Sequence, residues 1–199
     1  GRAAVWASQT FLRIDNSEVE SGDFGFSIRN SAGSVTNTTI DVNCNGIDIN
    51  SLKAIGDTNY DVEIADNVIT TVQGSTITAY AGALVNIHHN ELSGAGEGSG
   101  IAVYSSKADI NNNIIGPING WNGFWLLGSF DVIAENNTIF DTAREPVLAG
   151  EYGNQAPSPT PARLYLANNE ITSTGEGACS SQKWWGGDFS CPSIMVHRT

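Results

Sequence analysis

The sequence predicts an all-β solenoid, a single domain of short strands stacked coil upon coil, and three observations carry that expectation. An eight-residue pattern, apolar-x-apolar-x-x-Asn-x-apolar, recurs through most of the chain. A short apolar strand, usually led by Gly, follows each copy at a near-constant distance. The composition suits strands and turns: of 199 residues 22 are Gly and only 15% are charged, against ~25% in ordinary globular domains. A helical chain would need Ala, Leu, Glu and Lys in bulk.

The pattern is clearest as Val62-Glu63-Ile64-Ala65-Asp66-Asn67-Val68-Ile69. It returns around Val85, Ile87, Asn90 and Leu92, and again around Ala108, Ile110, Asn113 and Ile115. Later copies carry Val132, Ala134, Asn137 and Ile139, then Leu164, Leu166, Asn169 and Ile171. Degenerate copies near the start put Ser17 and Thr38 at the Asn position. The anchors 17, 38, 67, 90, 113, 137 and 169 are separated by 21, 29, 23, 23, 24 and 32 residues.

Each copy reads as a first strand with period-2 alternation, a polar corner, a short second strand, a loop and a third strand. Third strands begin at Gly25-Phe26, Gly46-Ile47, Gly100-Ile101 and Gly123-Phe124. Looser ones begin at Thr76-Ile77 and Pro146-Val147. Strands this short cannot bury their faces alone, so successive copies must stack, with equivalent residues about 4.8 Å apart. Asn67, Asn90, Asn113, Asn137 and Asn169 then form an internal ladder, each carboxamide bonding to the copies above and below. Asn serves there and Asp does not, because a column of buried carboxylates repels itself.

These Ile/Val-x-Ile/Leu-x-x-Asn-x-Ile units and Gly-Ile/Phe-x-Ile/Val/Leu strands resemble the right-handed parallel β-helix repeat family, the pectate-lyase-like superfamily, over residues 12–171. The resemblance implies a single-stranded right-handed parallel β-helix of about seven coils. It also implies the activities found on that fold, which include polysaccharide lyases, glycoside hydrolases and surface adhesins; fold alone does not choose among them.

Residues 50–60 and 150–162 lengthen two coils, and the repeat fades after Ile171 into a terminal segment, 172–199, with a last third-strand rung over 192–196. No internal domain boundary is visible, and a start at Gly1-Arg2 reads as a piece of a longer chain. Cys179 and Cys191 flank a Gly/Ser/Trp-rich loop holding Trp184 and Trp185, and their spacing closes readily into a disulfide. That bridge implies an oxidising compartment; the alternative is three buried thiols, with Cys44 unpaired in either case.

The formal charge of −12 argues against nucleic acid and against an anionic membrane surface, since no Lys/Arg cluster is present. No apolar run is long enough for membrane insertion by a helix. The sequons at Asn37 and Asn136 matter only in a secretory context.

Chemistry is sought in the columns. The third strand's outward column reads Ser27, Asp48, Thr78, Ala102, Trp125, Leu148. In the enzymes of the resembled family this face carries catalytic carboxylates or calcium ligands; here Asp48 stands alone. On the first strand Glu63 and Asp109 share a column with Asn86, while Asp15, His88, Asn111 and Glu135 occupy the next. Glu63, Asp109 and Glu135 are candidates for Ca²⁺, with a solvated polar face as the alternative. No cofactor is otherwise implied. The adjacent pair His88-His89 is expected to diverge and chelate poorly. Trp121, Trp125 and Tyr152 are expected to converge on one side, either as a carbohydrate platform or as a satellite core.

The function expected is a non-catalytic, secreted or cell-surface β-helix domain, structural or carbohydrate-contacting, with polysaccharide or glycan as partner. The alternative is a polysaccharide-active enzyme using Asp48 with Glu63 or Asp109.

Overall fold

The computed structural model describes residues 3–20, 22–51, 61–128, 131–150, 163–172 and 194–197. They form a right-handed parallel solenoid of three sheets with no helix. The first-strand sheet runs Phe11–Asp15, Ala32–Thr36, Val62–Ala65, Leu84–His88, Lys107–Asn111, Asp131–Glu135 and Arg163–Ala167. The second-strand sheet also has seven strands and the third-strand sheet eight, from Ala3–Ser8 to Ile194–His197. The seven strands of each of these first two sheets agree with the expected coils, and about six turns separate the first from the last.

Alternation along each strand decides what lies inside. Val35, Ile64, Ile87, Ile110 and Ala134 stack in one inward column. Ile40, Ile69, Leu92, Ile115 and Ile139 stack in a second. Phe26, Ile47, Ile77, Ile101, Phe124 and Val147 form the third. All sixteen are at most 1% exposed, and the three columns meet as one core. Gly leads the third strand because a Cβ at Gly46 or Gly123 would collide with the methyl groups of Ile69 or Ile139.

The ladder is continuous. Asn90 donates through its backbone N–H and its Nδ2 to Oδ1 of Asn113, at 3.0 and 2.9 Å. Its Nδ2 also donates to the Ile64 carbonyl on the other side, at 3.0 Å. The same arrangement links Asn67 to Asn90, Asn113 to Asn137 and Asn137 to Asn169. At the N-terminal end the Thr38 N–H donates to Asn67 Oδ1 at 3.0 Å, so Thr38 closes the column without extending it. Asn67, Asn90, Asn113 and Asn137 are each 1% exposed; a carboxamide in that position is tolerable only with its partners in place.

The residue before each anchor is equally constrained. Asn16, Asn37, Asp66, His89, Asn112, Asn136 and Asn168 all take positive φ, between 48 and 57°. This left-handed corner turns the chain from the first strand into the second, and Asn and Asp enter it at least cost among residues with a side chain. A second polar column lies before the third strand. Asn45 Oδ1 accepts from the Ser75 N–H, Ser75 Oγ from the Ser99 N–H, and Asn122 Nδ2 donates to the Glu145 carbonyl. The described coils from Asn45 to Glu145 therefore have two hydrogen-bonded corners.

Replacing Asn113 by Leu removes the acceptor for Asn90 and the side-chain donor to Asn137 within the wall. The expected cost is about 1–3 kcal/mol of unfolding free energy, measured by chemical denaturation. A loss within error of zero would show that the column carries no net stabilisation.

Candidate functional site

The outward positions of the solenoid supply two candidate sites, on different sheets. On the third-strand sheet the outward columns are Ser27, Asp48, Thr78, Ala102, Trp125, Leu148 and, beside them, Arg29, Asn50, Tyr80, Tyr104, Leu127. This face is not a uniformly wet one: Ser27, Thr78 and Ala102 are at most 9% exposed.

Its aromatics are clustered. The Trp121 and Trp125 rings lie 4.1 Å apart, tilted by 59°, and Tyr104 meets Trp125 edge-on at 5.6 Å. Tyr80 is the in-register neighbour of Tyr104, and the Arg144 guanidinium sits 5.1 Å from the Trp121 ring centre. All four aromatic residues are half-buried. Trp125 Nε1 is buried and has no hydrogen-bond partner in the structure. Trp121 and Trp125 thus meet on one side, and the Trp125 ring packs between Tyr104 and Trp121 and offers solvent only part of its surface. Phe124 and Leu126 point into the core, as their alternation requires. Tyr152, Cys179, Cys191, Trp184 and Trp185 lie outside the described residues; Cys44, which is described, is a free thiol.

At the other end of the same face, Asp48 Oδ1 accepts from Asn45 Nδ2 at 2.8 Å. Burial pushes the Asp48 carboxyl above the ordinary value, against the opposing effect of hydrogen bonds from Asn45 and Thr78 and the nearby charge of Arg29. Arg29 in turn stacks over Trp6, 4.6 Å from the ring centre.

The first-strand sheet carries the remaining candidates. Glu63, Asn86 and Asp109 are successive members of one column, and Ala65, His88, Asn111 and Glu135 of the next. Glu63 and Asp109 are therefore two rungs apart with Asn86 between them. Glu135 stands opposite Asn111, diagonal to Asp109. Glu63 Oε1 lies 3.3 Å from His88 Nε2. Asp48 projects from another sheet, so the structure does not bring it together with Glu63 or Asp109. Among the described residues no group of three or more His, Cys, Asp or Glu is arranged to hold a metal ion, and no helix is long and apolar enough to cross a membrane. Near the N-terminus, hydrogen bonds from Asn37 and Thr36 hold the Asp15 carboxyl below the ordinary value.

Neither protein-family models, nor curated proteins, nor solved structures give a match to this chain. The functional reading therefore rests on the residues themselves.

His88 and His89 depart most from what the sequence led one to expect. Their Nδ1 atoms approach to 3.0 Å, because the left-handed corner at His89 overrides the divergence of neighbouring strand residues. The Asn45–Asp48 contact and the positive-φ corners also escaped sequence reading. The recurring Asn or Asp before each anchor was the available signal for the corners.

Asp48 gives a pH-dependent expectation. A carboxyl whose folded pKa is raised binds its proton more tightly in the native state. Its contribution to stability is full below the unfolded value of 3.8 and is lost as pH rises through the folded pKa. Asp48→Asn should therefore gain stability relative to the parent chain as pH rises from about 3 to about 7, in denaturation midpoints taken across that range. A difference that stays flat or falls would contradict the assignment.

Proposed function

We propose that this chain is a non-catalytic β-helix domain of the pectate-lyase-like kind, secreted or on a cell surface, that contacts polysaccharide through the outer face of its third-strand sheet. The observation that carries the reading is the aromatic ridge Tyr80–Tyr104–Trp125–Trp121, laid across successive rungs and half exposed. Rings packed against one another present a rigid apolar strip on which sugar C–H faces stack at little entropic cost. Polar groups stand at both ends of the strip: Asp48, Asn45 and Arg29 on one side, Arg144 on the other. Hydroxyls of a bound glycan would find partners there. Acidic, lysine-poor character also favours neutral over anionic polysaccharide.

A second reading, a polysaccharide-active enzyme, is favoured by one observation, the raised pKa of Asp48, since a general acid needs a carboxyl that keeps its proton. Against it, a glycosidase needs two carboxyls roughly 5–9.5 Å apart, and among the described outward residues of this face Asp48 is the only carboxylate.

A glycan array with neutral and acidic polysaccharides tests the first reading. Trp121→Ala, and separately Trp125→Ala, should weaken any binding found by about 5-fold or more, at ~1–3 kcal/mol per stacking ring. Undiminished binding by both variants with intact folding would overturn the assignment of this face. Release of reducing ends from a polysaccharide, abolished by Asp48→Asn, would establish the enzymatic reading in its place.

A further inference from the structure

The solenoid carries a second feature on the first-strand sheet, away from the aromatic ridge. His88 ends the strand Leu84–His88, and His89 is the corner residue before Asn90. Neighbouring side chains on an extended strand point to opposite faces. With φ of 56° at His89 the chain turns between them, and both imidazoles emerge on the same side. The rings stand edge to face, 5.2 Å between centres. The ladder holds this corner: Asn90 Nδ2 donates to the His88 carbonyl at 3.0 Å, and the His89 N–H donates to the Asn111 carbonyl at 3.2 Å.

Glu63 fixes the tautomer. Its ionised carboxylate only accepts, so the His88 Nε2 that faces it at 3.3 Å carries hydrogen. In neutral His88 the lone pair then lies on Nδ1, and the His89 Nδ1–H donates to it across 3.0 Å. Both Nδ1 atoms are therefore within reach of one ion placed beside them.

We propose that His88 and His89 form a two-nitrogen chelate for a divalent transition metal, with Cu²⁺ the preferred ion and Glu63 the orienting carboxylate. The metal replaces the N–H···N hydrogen bond and sits to one side of the line between the two nitrogens. His89 loses the hydrogen on Nδ1 and takes one up on Nε2 from water, so each Nδ1 presents a lone pair and no net proton is released. With metal–nitrogen bonds of about 2.0–2.1 Å, a 3.0 Å separation subtends about 95° at the ion. That is close to the right angle between neighbouring ligands of tetragonal Cu²⁺ and narrower than the tetrahedral angle zinc prefers. A carboxylate on the far nitrogen of a ligating imidazole is what fixes such ligands in place. Cu²⁺ also binds nitrogen donors most tightly among the first-row divalent ions, and the net charge of −12 favours cation approach. His89 is exposed and the His88 side chain is 23% accessible, which leaves the other coordination positions to water.

The test is a titration of the full chain with copper(II) chloride at about pH 7.5, above the ordinary imidazole range, followed by calorimetry and electron paramagnetic resonance. One equivalent should bind with superhyperfine splitting from two imidazole nitrogens. His88→Ala and His89→Asn should each lower affinity by about 10-fold or more, and Glu63→Ala by about 10–100-fold. Asn at position 89 suits the left-handed corner, so this variant keeps the fold, checked by circular dichroism. His197→Ala should leave binding unchanged. Parental affinity in His89→Asn, or loss of binding in His197→Ala, would overturn the proposal.

Discussion

The hydrogen-bonded Asn column is the constraint on which the rest of the molecule depends. A wall of short parallel strands has no intrinsic register, and a slip of one residue would turn every core side chain outward. The carboxamides prevent this, because each must find an Oδ1 in the next coil and a carbonyl in the previous one. A slipped coil would bury two unsatisfied polar groups instead of two hydrogen bonds, a penalty of several kcal/mol at ~1–3 kcal/mol each. The Ile and Val columns supply most of the burial; the ladder decides which burial is allowed.

The same constraint makes the surface readable as columns. Once coils are locked, an outward residue has fixed neighbours above and below it, and function follows from what lies in register. On the third-strand face this gathers aromatic rings from successive coils into one ridge, while Asp48 sits apart among polar partners. On the first-strand face it sets Glu63 beside the rung of His88. The corner geometry matters as well: a left-handed residue before each anchor sends its side chain away from the strand's alternation. At most corners an exposed Asn or Asp occupies that position. At one it is a histidine, and two imidazoles meet.

Much of this was legible in the sequence because the physics is periodic. Val62, Ile64, Asn67 and Ile69 recur at nearly constant spacing, so strand order, inward columns and ladder follow from one template. The degenerate Thr38 copy was legible too, since its N–H still donates to Asn67 although its side chain turns to its own strand. What period-2 reasoning missed lies where the backbone leaves the strand. The approach of His88 to His89 depends on a positive φ that alternation does not encode. The meeting of Trp121 and Trp125 was legible, but the contact of Tyr104 with Trp125 depends on ring size across neighbouring coils, which alternation does not encode. The polar column through Asn45, Ser75 and Ser99 changes residue type from coil to coil and therefore has no sequence period.

The central claim, that the Asn column is a continuous element of the folded wall, is tested most directly by native-state hydrogen exchange read by nuclear magnetic resonance. The backbone N–H groups of Asn67, Asn90, Asn113 and Asn137 each donate to a carboxamide oxygen of the next coil. Their exchange should require global unfolding, with the same free energy and denaturant dependence at all four positions. Exchange at any of the four as fast as an exposed loop amide would mean that the ladder opens independently of the core and does not hold the coils in register.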